Sequence, residues 1–319
     1  MTDNELNQIR HIVKENAPLI HCITNPISIH QCANLALAVG ARPIMAEHPK
    51  EVREITATAE ALLLNLGNIT DARMESMMIS AEEAQEKGIP VVLDLVGIAC
   101  SRLRRSFACQ LLQNRDSSLR TGNVSNKNPS FLQEEGVSKK KLTFVLKGNY
   151  SEINALYNLS YESRGVDAEA SLDLPAISDI AAKLSEKYGC TILASGKTDI
   201  VTDGKTLVHV KNGSHKLATV TGTGCMLGTL TACYLSACHS AAYSGASLAA
   251  GACRNTSAAA EICRDISAAV AACAVLGICG ELSETEKGAG SFMVNLMDNL
   301  STLSDTDLKT HLNLQIKNL

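Results

Sequence analysis

The sequence predicts an α/β protein built on a mainly parallel sheet with helices on both faces. Three observations lead there. Apolar runs of strand length recur along the chain, and a segment with helical periodicity follows most of them. The alternation repeats at least five times. The runs themselves, Leu62-Leu63-Leu64, Val91-Val92-Leu93, Phe144-Val145-Leu146 and Ile192-Leu193-Ala194, are continuous, as expected of strands buried on both sides.

Taken in order, residues 19–24 read as a short strand that Asn25-Pro26 breaks. Ser28 then caps a helix to Val39, with Ile29, Cys32, Ala36 and Val39 on one face. Residues 42–46 form the next strand, and Pro49 suits the first turn of a helix to Ala59. Residues 61–67 make an apolar strand ending in Asn65-Leu66-Gly67. A helix over 71–87 starts at Asp71 as cap and closes at Gly88. Residues 90–96 are a buried strand carrying Asp94 at its end, and a helix over 101–112 follows. Residues 113–141 break the rhythm, being rich in Asn, Ser, Arg and Lys with few apolar positions. Such a stretch is expected to be a mobile surface insertion. The pattern resumes with a strand at 143–148, helices at 150–159 and 174–188, and a strand at 190–196. A hairpin at 199–202 and 206–211 turns at Asp203-Gly204. Residues 216–220 are expected as a further strand, leading through Thr221-Gly222-Thr223-Gly224-Cys225 into a helix over 226–237. Helices near 244–263, 266–281 and 291–300 complete the chain. There is no internal repeat.

Composition narrows the function. The chain has 319 residues, enough for one large α/β domain or two small ones, and 45% are hydrophobic. Aromatics are 3% and Trp is absent, which argues against aromatic-stacking nucleic-acid modules. The net charge is -4 with no basic stripe, so no nucleic-acid or anionic-membrane partner is expected. Residues 1–15 lack an apolar core of the signal-peptide kind. The apolar C-terminal third is interrupted by Arg254, Glu261, Arg264 and Asp265, so buried helices rather than membrane spans are expected. The 12 cysteines include no C-x-x-C pair and read as reduced thiols of a cytoplasmic protein.

The residues that carry chemistry gather at predicted strand ends, where open parallel sheets bind ligands. Gly222 and Gly224 stand at the mouth of a helix, and free N–H groups there, with the helix dipole, form an anion site. The same pattern is also an ordinary turn and cap. It is not a dinucleotide fingerprint, because Gly228 comes one position late. Gly196-Lys197-Thr198 fails as a P-loop, since six residues separate Gly189 from Gly196 and a hairpin follows. Asp94 at a strand end suits Mg²⁺ held through water, or a loop cap. Asn149 and Glu152, three apart at a helix start, suit hydrated Mg²⁺ beside a nucleotide and equally suit a capping box. Lys147 offers a point charge to phosphate. The eight histidines form no metal motif and read as structural or surface residues.

Together these strand ends resemble the hydroxyethylthiazole kinases, a branch of the ribokinase-like kinases. The matching pieces run in order: Pro18-Leu19-Ile20-His21-Cys22-Ile23-Thr24-Asn25, Pro43-Ile44-Met45-Ala46, Leu64-Asn65-Leu66-Gly67 and Leu93-Asp94. Lys147-Gly148-Asn149-Tyr150-Ser151-Glu152, Gly165-Val166-Asp167, Gly222-Thr223-Gly224-Cys225 and Gly288-Ala289-Gly290-Ser291-Phe292 follow. The resemblance implies a single domain over 1–319 with a ribokinase-like three-layer α/β/α sandwich. It implies ATP as co-substrate, Mg²⁺, and phosphorylation of the alcohol of 4-methyl-5-(2-hydroxyethyl)thiazole in thiamine salvage. It implies that Asn25 and Met45 line the thiazole pocket with Gly222, that Lys147 and Ser195 contact ATP, and that Asp94 and Glu152 organise the metal. Gly222 and Gly224 would hold the transferred phosphoryl group beside Cys225. It also implies a homotrimer with sites at subunit interfaces. Lys147 stands where the family usually carries Arg, which removes a bidentate phosphate fork. The alternatives are a kinase of the same fold for another small alcohol, such as hydroxymethylpyrimidine or a sugar, and a nucleotide-binding relative without turnover. The apolar set around Met45 and Cys22 favours a compact heterocycle over a polyol.

Overall fold

The computed structural model describes residues 1–114, 144–163, 173–240 and 257–319. The strands are β1 (Leu19–Ile23), β2 (Arg42–Ile44), β3 (Ala61–Asn65), β4 (Val91–Asp94), β5 (Phe144–Asn149), β6 (Thr191–Ser195), β7 (Asp199–Thr202), β8 (Thr206–Val210) and β9 (Leu314–Asn318). They form one sheet in the order β2-β1-β3-β4-β5-β6-β7-β8-β9. The first six in this order run parallel, and β7, β8 and β9 are added antiparallel.

The apolar runs explain the layers. Successive side chains of a strand point to opposite faces. Leu63, Val92, Val145 and Leu193 therefore enter one core. Their neighbours Leu62, Leu64, Val91, Leu93, Phe144, Leu146, Ile192 and Ala194 enter the other. The first core is covered by α1 (Asp3–Asn16), α2 (Ile29–Ala38), α8 (Thr223–Cys238), α9 (Ser257–Leu282), α10 (Ala289–Thr302) and α11 (Asp305–His311). The second is covered by α3 (Val52–Ala57), α4 (Asp71–Lys87), α5 (Arg102–Asn114), α6 (Tyr150–Tyr157) and α7 (Leu174–Tyr188). The result is a three-layer α/β/α sandwich.

Several expectations need correction. Residues 216–220 are no strand: His215–Thr219 is a 3-10 turn, and Thr223 Oγ1 donates to the Leu217 carbonyl at 2.8 Å to tie it to α8. α8 starts at Thr223 rather than Met226, because the glycine turn supplies its first residues. Thr70, not Asp71, caps α4, its hydroxyl accepting from the Arg73 N–H at 3.2 Å. Ser28 sits at the start of α2 without a side-chain cap; Asn25 Oδ1 instead accepts from the N–H groups of Ile27 and Ser28 at 3.1 and 3.2 Å. Pro49 lies in the turn ahead of α3. The helix expected over 266–281 begins earlier, as α9 from Ser257. Its Arg264–Leu282 portion is long and apolar enough to cross a membrane, yet 89% of that window is buried inside the fold. α1, α11 and β9 were not expected, since their residues are largely polar. Of the insertion expected over 113–141, residues 113 and 114 belong to α5 and the rest lies outside the described residues, as do the Gly165-Val166-Asp167 motif and residues 244–256 of the helix expected over 244–263.

Candidate active site

The carboxyl ends of the parallel strands meet the start of α8 around one cleft of about 570 Å³. Register brings the polar residues together. Asn65 of β3 stands beside Asp94 of β4, Asp94 beside Lys147 of β5, and Asn149 beside Ser195 of β6. Each of these strands thus delivers polar residues as it leaves the core.

Asn65, Asp94 and Lys147 belong to one hydrogen-bonded network with Asn25, just after β1, and Cys225, in α8. The Asn25 side-chain amide donates to Cys225 Sγ at 3.3 Å and to Asn65 Oδ1 at 3.1 Å. The Asn65 amide donates to Asp94 Oδ2 at 2.9 Å, and Lys147 Nζ donates to Asp94 Oδ1 at 3.0 Å. All five residues are buried. Burial pushes the Asp94 carboxyl up, against the pull of the Lys147 ammonium and the Asn65 amide. Burial pulls Lys147 down, but Asp94, Glu152 and Cys225 outweigh it and hold its ammonium above the ordinary lysine value. We take the pair as ionised, because each charge has a bonded partner.

Glu152 fulfils the capping box and more. Its Oε2 accepts from the Asn149 N–H at 2.8 Å, its backbone N–H donates to Asn149 Oδ1 at 2.9 Å, and its Oε1 accepts from the Gly97 N–H at 2.7 Å. Burial pushes its carboxyl up to about 7, opposed by Lys147 and reinforced by Asp94. Glu152 therefore fixes the β4–α5 loop to the start of α6.

The start of α8 has the tight turn into a helix expected from its glycines. Gly222 takes a left-handed backbone, φ 89°, and no side chain caps the helix. A Cβ at Gly222 would also meet Ser28 Cβ at 3.1 Å. A Cβ at Gly224 would sit 3.4 Å from Lys147 Nζ, so this turn closely faces the buried ammonium. First-turn N–H groups have no intrahelical partner. Here they open on the cleft with the positive end of the dipole behind them.

The cleft lining includes Asn25, Lys147, Glu152, Ser195, Gly222, Gly224 and Cys225. Asp94 lies directly beneath, through Lys147 and Asn65. Met45, at the end of β2, is outside this lining and packs against the first core. Sequence reasoning marked Asn65 as a strand-end residue but gave it no role; that it joins Asn25 to Asp94 depends on strand register. Sequence reasoning missed Arg104, whose side chain lines the cleft. His21, by contrast, is structural as expected: its Nδ1 bonds Thr56 Oγ1 at 2.8 Å and its Nε2 the Ala46 carbonyl at 2.9 Å.

The residues fit a weakly held divalent ion. Among the described residues no group of three or more His, Cys, Asp or Glu closes on a metal position. Two carboxylates beside a phosphate-sized cleft suit Mg²⁺, which keeps waters and takes further oxygens from a nucleotide.

A profile of the hydroxyethylthiazole kinase family matches residues 10–139 and 131–267. The chain is similar to hydroxyethylthiazole kinase 2 of Clostridium botulinum strain Hall, at 39% identity over 303 residues, covering 93% of this chain and 95% of that protein. It is 39% identical over 229 residues to the hydroxyethylthiazole kinase of Alkaliphilus metalliredigens, covering 72% and 74% of the two chains. Among solved structures it resembles a hydroxyethylthiazole kinase protein from Pyrococcus horikoshii OT3, with TM-score 0.74, 25% identity, and 98% and 99% coverage. The pyridoxal kinase of Staphylococcus aureus in complex with ADP shares the fold, with TM-score 0.54, 12% identity, and 94% and 98% coverage.

Proposed function

The chain belongs to the hydroxyethylthiazole kinase family, and from that membership we propose that its cleft moves the terminal phosphoryl group of ATP to the primary alcohol of 4-methyl-5-(2-hydroxyethyl)thiazole, in thiamine salvage. The observation that carries this reading is the Asn25–Cys225 contact at 3.3 Å, set beside the Gly222–Gly224 turn and the buried Asp94–Lys147 pair. A place for the alcohol, a turn for the transferred phosphoryl group and counter-charges would then share one cleft.

In the proposed reaction the alcohol oxygen forms a bond to phosphorus, the bond to the bridging oxygen breaks, and ADP departs. Phosphoryl transfer asks mainly for positioning and charge stabilisation. The first-turn N–H groups after Gly222 stabilise the transferred phosphoryl oxygens. Cys225 stands where the alcohol loses its proton, which is released to solvent; its sulfur is oriented by the Asn25 amide and its contribution is positional. Asn25 and Gly222 border the thiazole in this cleft, while Met45 lies outside its lining. Lys147 and Ser195 face ATP. Asp94 and Glu152 would hold Mg²⁺ through water, and the ion would neutralise phosphate charge. The chain acts as one kinase domain over 1–319, in the cytoplasm.

The proposed assembly is a homotrimer. Ile27, Leu37 and Val294 are exposed by 57%, 58% and 59%. Leu37 lies on α2 and Val294 on α10, helices that touch each other, and Ile27 also lines the cleft. Apolar side chains so placed suit a subunit interface next to the site.

The test is Mg²⁺- and ATP-dependent phosphorylation of hydroxyethylthiazole, read by mass spectrometry, with hydroxymethylpyrimidine and ribose in parallel. Thiazole phosphate from the native chain, lost in Glu152→Gln and Gly224→Val, is the expected result. Product from another alcohol alone would overturn the substrate.

A further inference from the structure

Three arginines enter α5 within four positions, and the fold treats each differently. Arg102 is exposed and forks onto Glu162 at 3.0 and 2.8 Å. Arg105 is buried and donates to the carbonyls of Ile98, Leu159, Ala99 and Tyr161. Both are fully employed in holding the β4–α5 loop. Arg104 is neither paired with a carboxylate among the described residues nor buried. Its guanidinium makes one long hydrogen bond, Nη1 to the Val96 carbonyl at 3.3 Å, and it lines the cleft with Lys147, Glu152 and the Gly222–Gly224 turn.

The loop is shaped around it. Gly97 has φ 78°, and a Cβ there would stand 2.1 Å from Arg104 Nη1. The same Gly97 gives its N–H to Glu152. The guanidinium thus lies over a bare backbone position that also anchors the candidate metal carboxylate. The other cation lining the cleft, Lys147, already has Asp94 at 3.0 Å. A polyphosphate entering the cleft therefore meets one guanidinium with no acidic partner among the described residues. Its planar fork matches phosphate oxygens bidentately, as a lysine ammonium does not.

We propose that Arg104 grips the nucleotide beyond its α-phosphate, supplying in this chain the bidentate contact that Lys147 cannot. This assignment rests on the kinase reading of the cleft.

The test uses the full chain and its Arg104→Gln and Arg104→Lys variants. Binding of ATP, ADP and AMP is measured by calorimetry, and KM and kcat where turnover is seen. A charge-assisted contact of this kind is worth about 10- to 100-fold in affinity. Arg104→Gln is expected to weaken ATP and ADP by that factor, to leave AMP and the KM for the alcohol unchanged, and to keep the thermal midpoint. Arg104→Lys is expected to recover part of the loss. Unchanged ATP affinity in Arg104→Gln overturns the assignment. So does an equal loss for ATP and AMP with a lowered midpoint, which would mark a loop-holding residue. A rise in the KM for the alcohol alone would also overturn it. If the native chain binds ATP with this pattern yet makes no thiazole phosphate, Arg104 stands and the substrate reading falls. A native chain that binds no nucleotide overturns both.

Discussion

Glu152 holds two backbone N–H groups and one candidate metal position, so its substitution separates structure from chemistry. In Glu152→Gln one amide end faces a donor, leaving either the Gly97 or the Asn149 N–H unpaired. That is expected to cost about 1–3 kcal/mol, read by urea unfolding of the metal-free chain. The pH dependence follows from burial, which raises the folded carboxyl from 4.5 to about 7. The folded chain then keeps a proton that the unfolded chain has lost. This contribution to stability is full below about pH 4.5 and falls as pH rises to about 7. Glu152→Gln lacks this titration, so its deficit against the native chain should narrow as pH rises through that window. A gap of constant size would mean that Glu152 ionises normally. The two glycines differ for a physical reason. Gly222→Ala must place a side chain at φ 89° and 3.1 Å from Ser28, and is expected to lose about 1–2 kcal/mol of stability. Gly224→Ala meets only the far end of Lys147 at 3.4 Å, so the fold should hold. The bulkier Gly224→Val should abolish turnover while thermal unfolding stays near native.

At the scale of elements, strand register builds the site. Asn65 carries no chemistry of its own in the proposed reaction, yet it joins β1, β3 and β4 at their ends. Asn65→Ala would leave Asp94 Oδ2 and the Gly67 N–H without their partner, both buried. A loss of about 2–4 kcal/mol is expected, together with reduced turnover, since Asn25 would lose its anchor beside Cys225. Little change in urea unfolding would mean that Lys147 alone suffices to hold Asp94. Helix starts teach a related lesson. The sequence marks that a helix begins near residue 71, but Thr70 and Asp71 are both good caps. Only the backbone geometry decides that Thr70 accepts from Arg73. The same ambiguity turned residues 216–220 from a strand into a 3-10 turn. Five residues of mixed polarity have no period of their own, and contact with α8 sets their shape.

For the whole molecule, the assembly is the property most open to test. Sedimentation should give three times the 33.9 kDa chain mass. Leu37→Glu together with Val294→Glu should yield monomers with weakened thiazole binding, because charges in an apolar interface cost more than the contacts return. A monomeric native chain with full activity would sink the trimer.

What the sequence determined by itself was the set of parts. Short continuous apolar runs between turn signals read as strands covered on both faces, and Leu62 to Leu64, Val91 to Leu93 and Ile192 to Ala194 are such strands. The glycines before Cys225 required a tight turn into a helix, and the polar residue closing each run marked the ligand-binding edge. Tertiary structure decided which of those residues meet. Asn25 and Cys225 lie 200 positions apart and touch because β1 and α8 share one end of the sheet. Arg102, Arg104 and Arg105 look alike in sequence, yet one pairs on the surface, one holds buried carbonyls and one faces the cleft. Local propensity is a property of neighbours along the chain. Pairing across the sheet, and the charges left without a partner, depend on residues that only folding brings near.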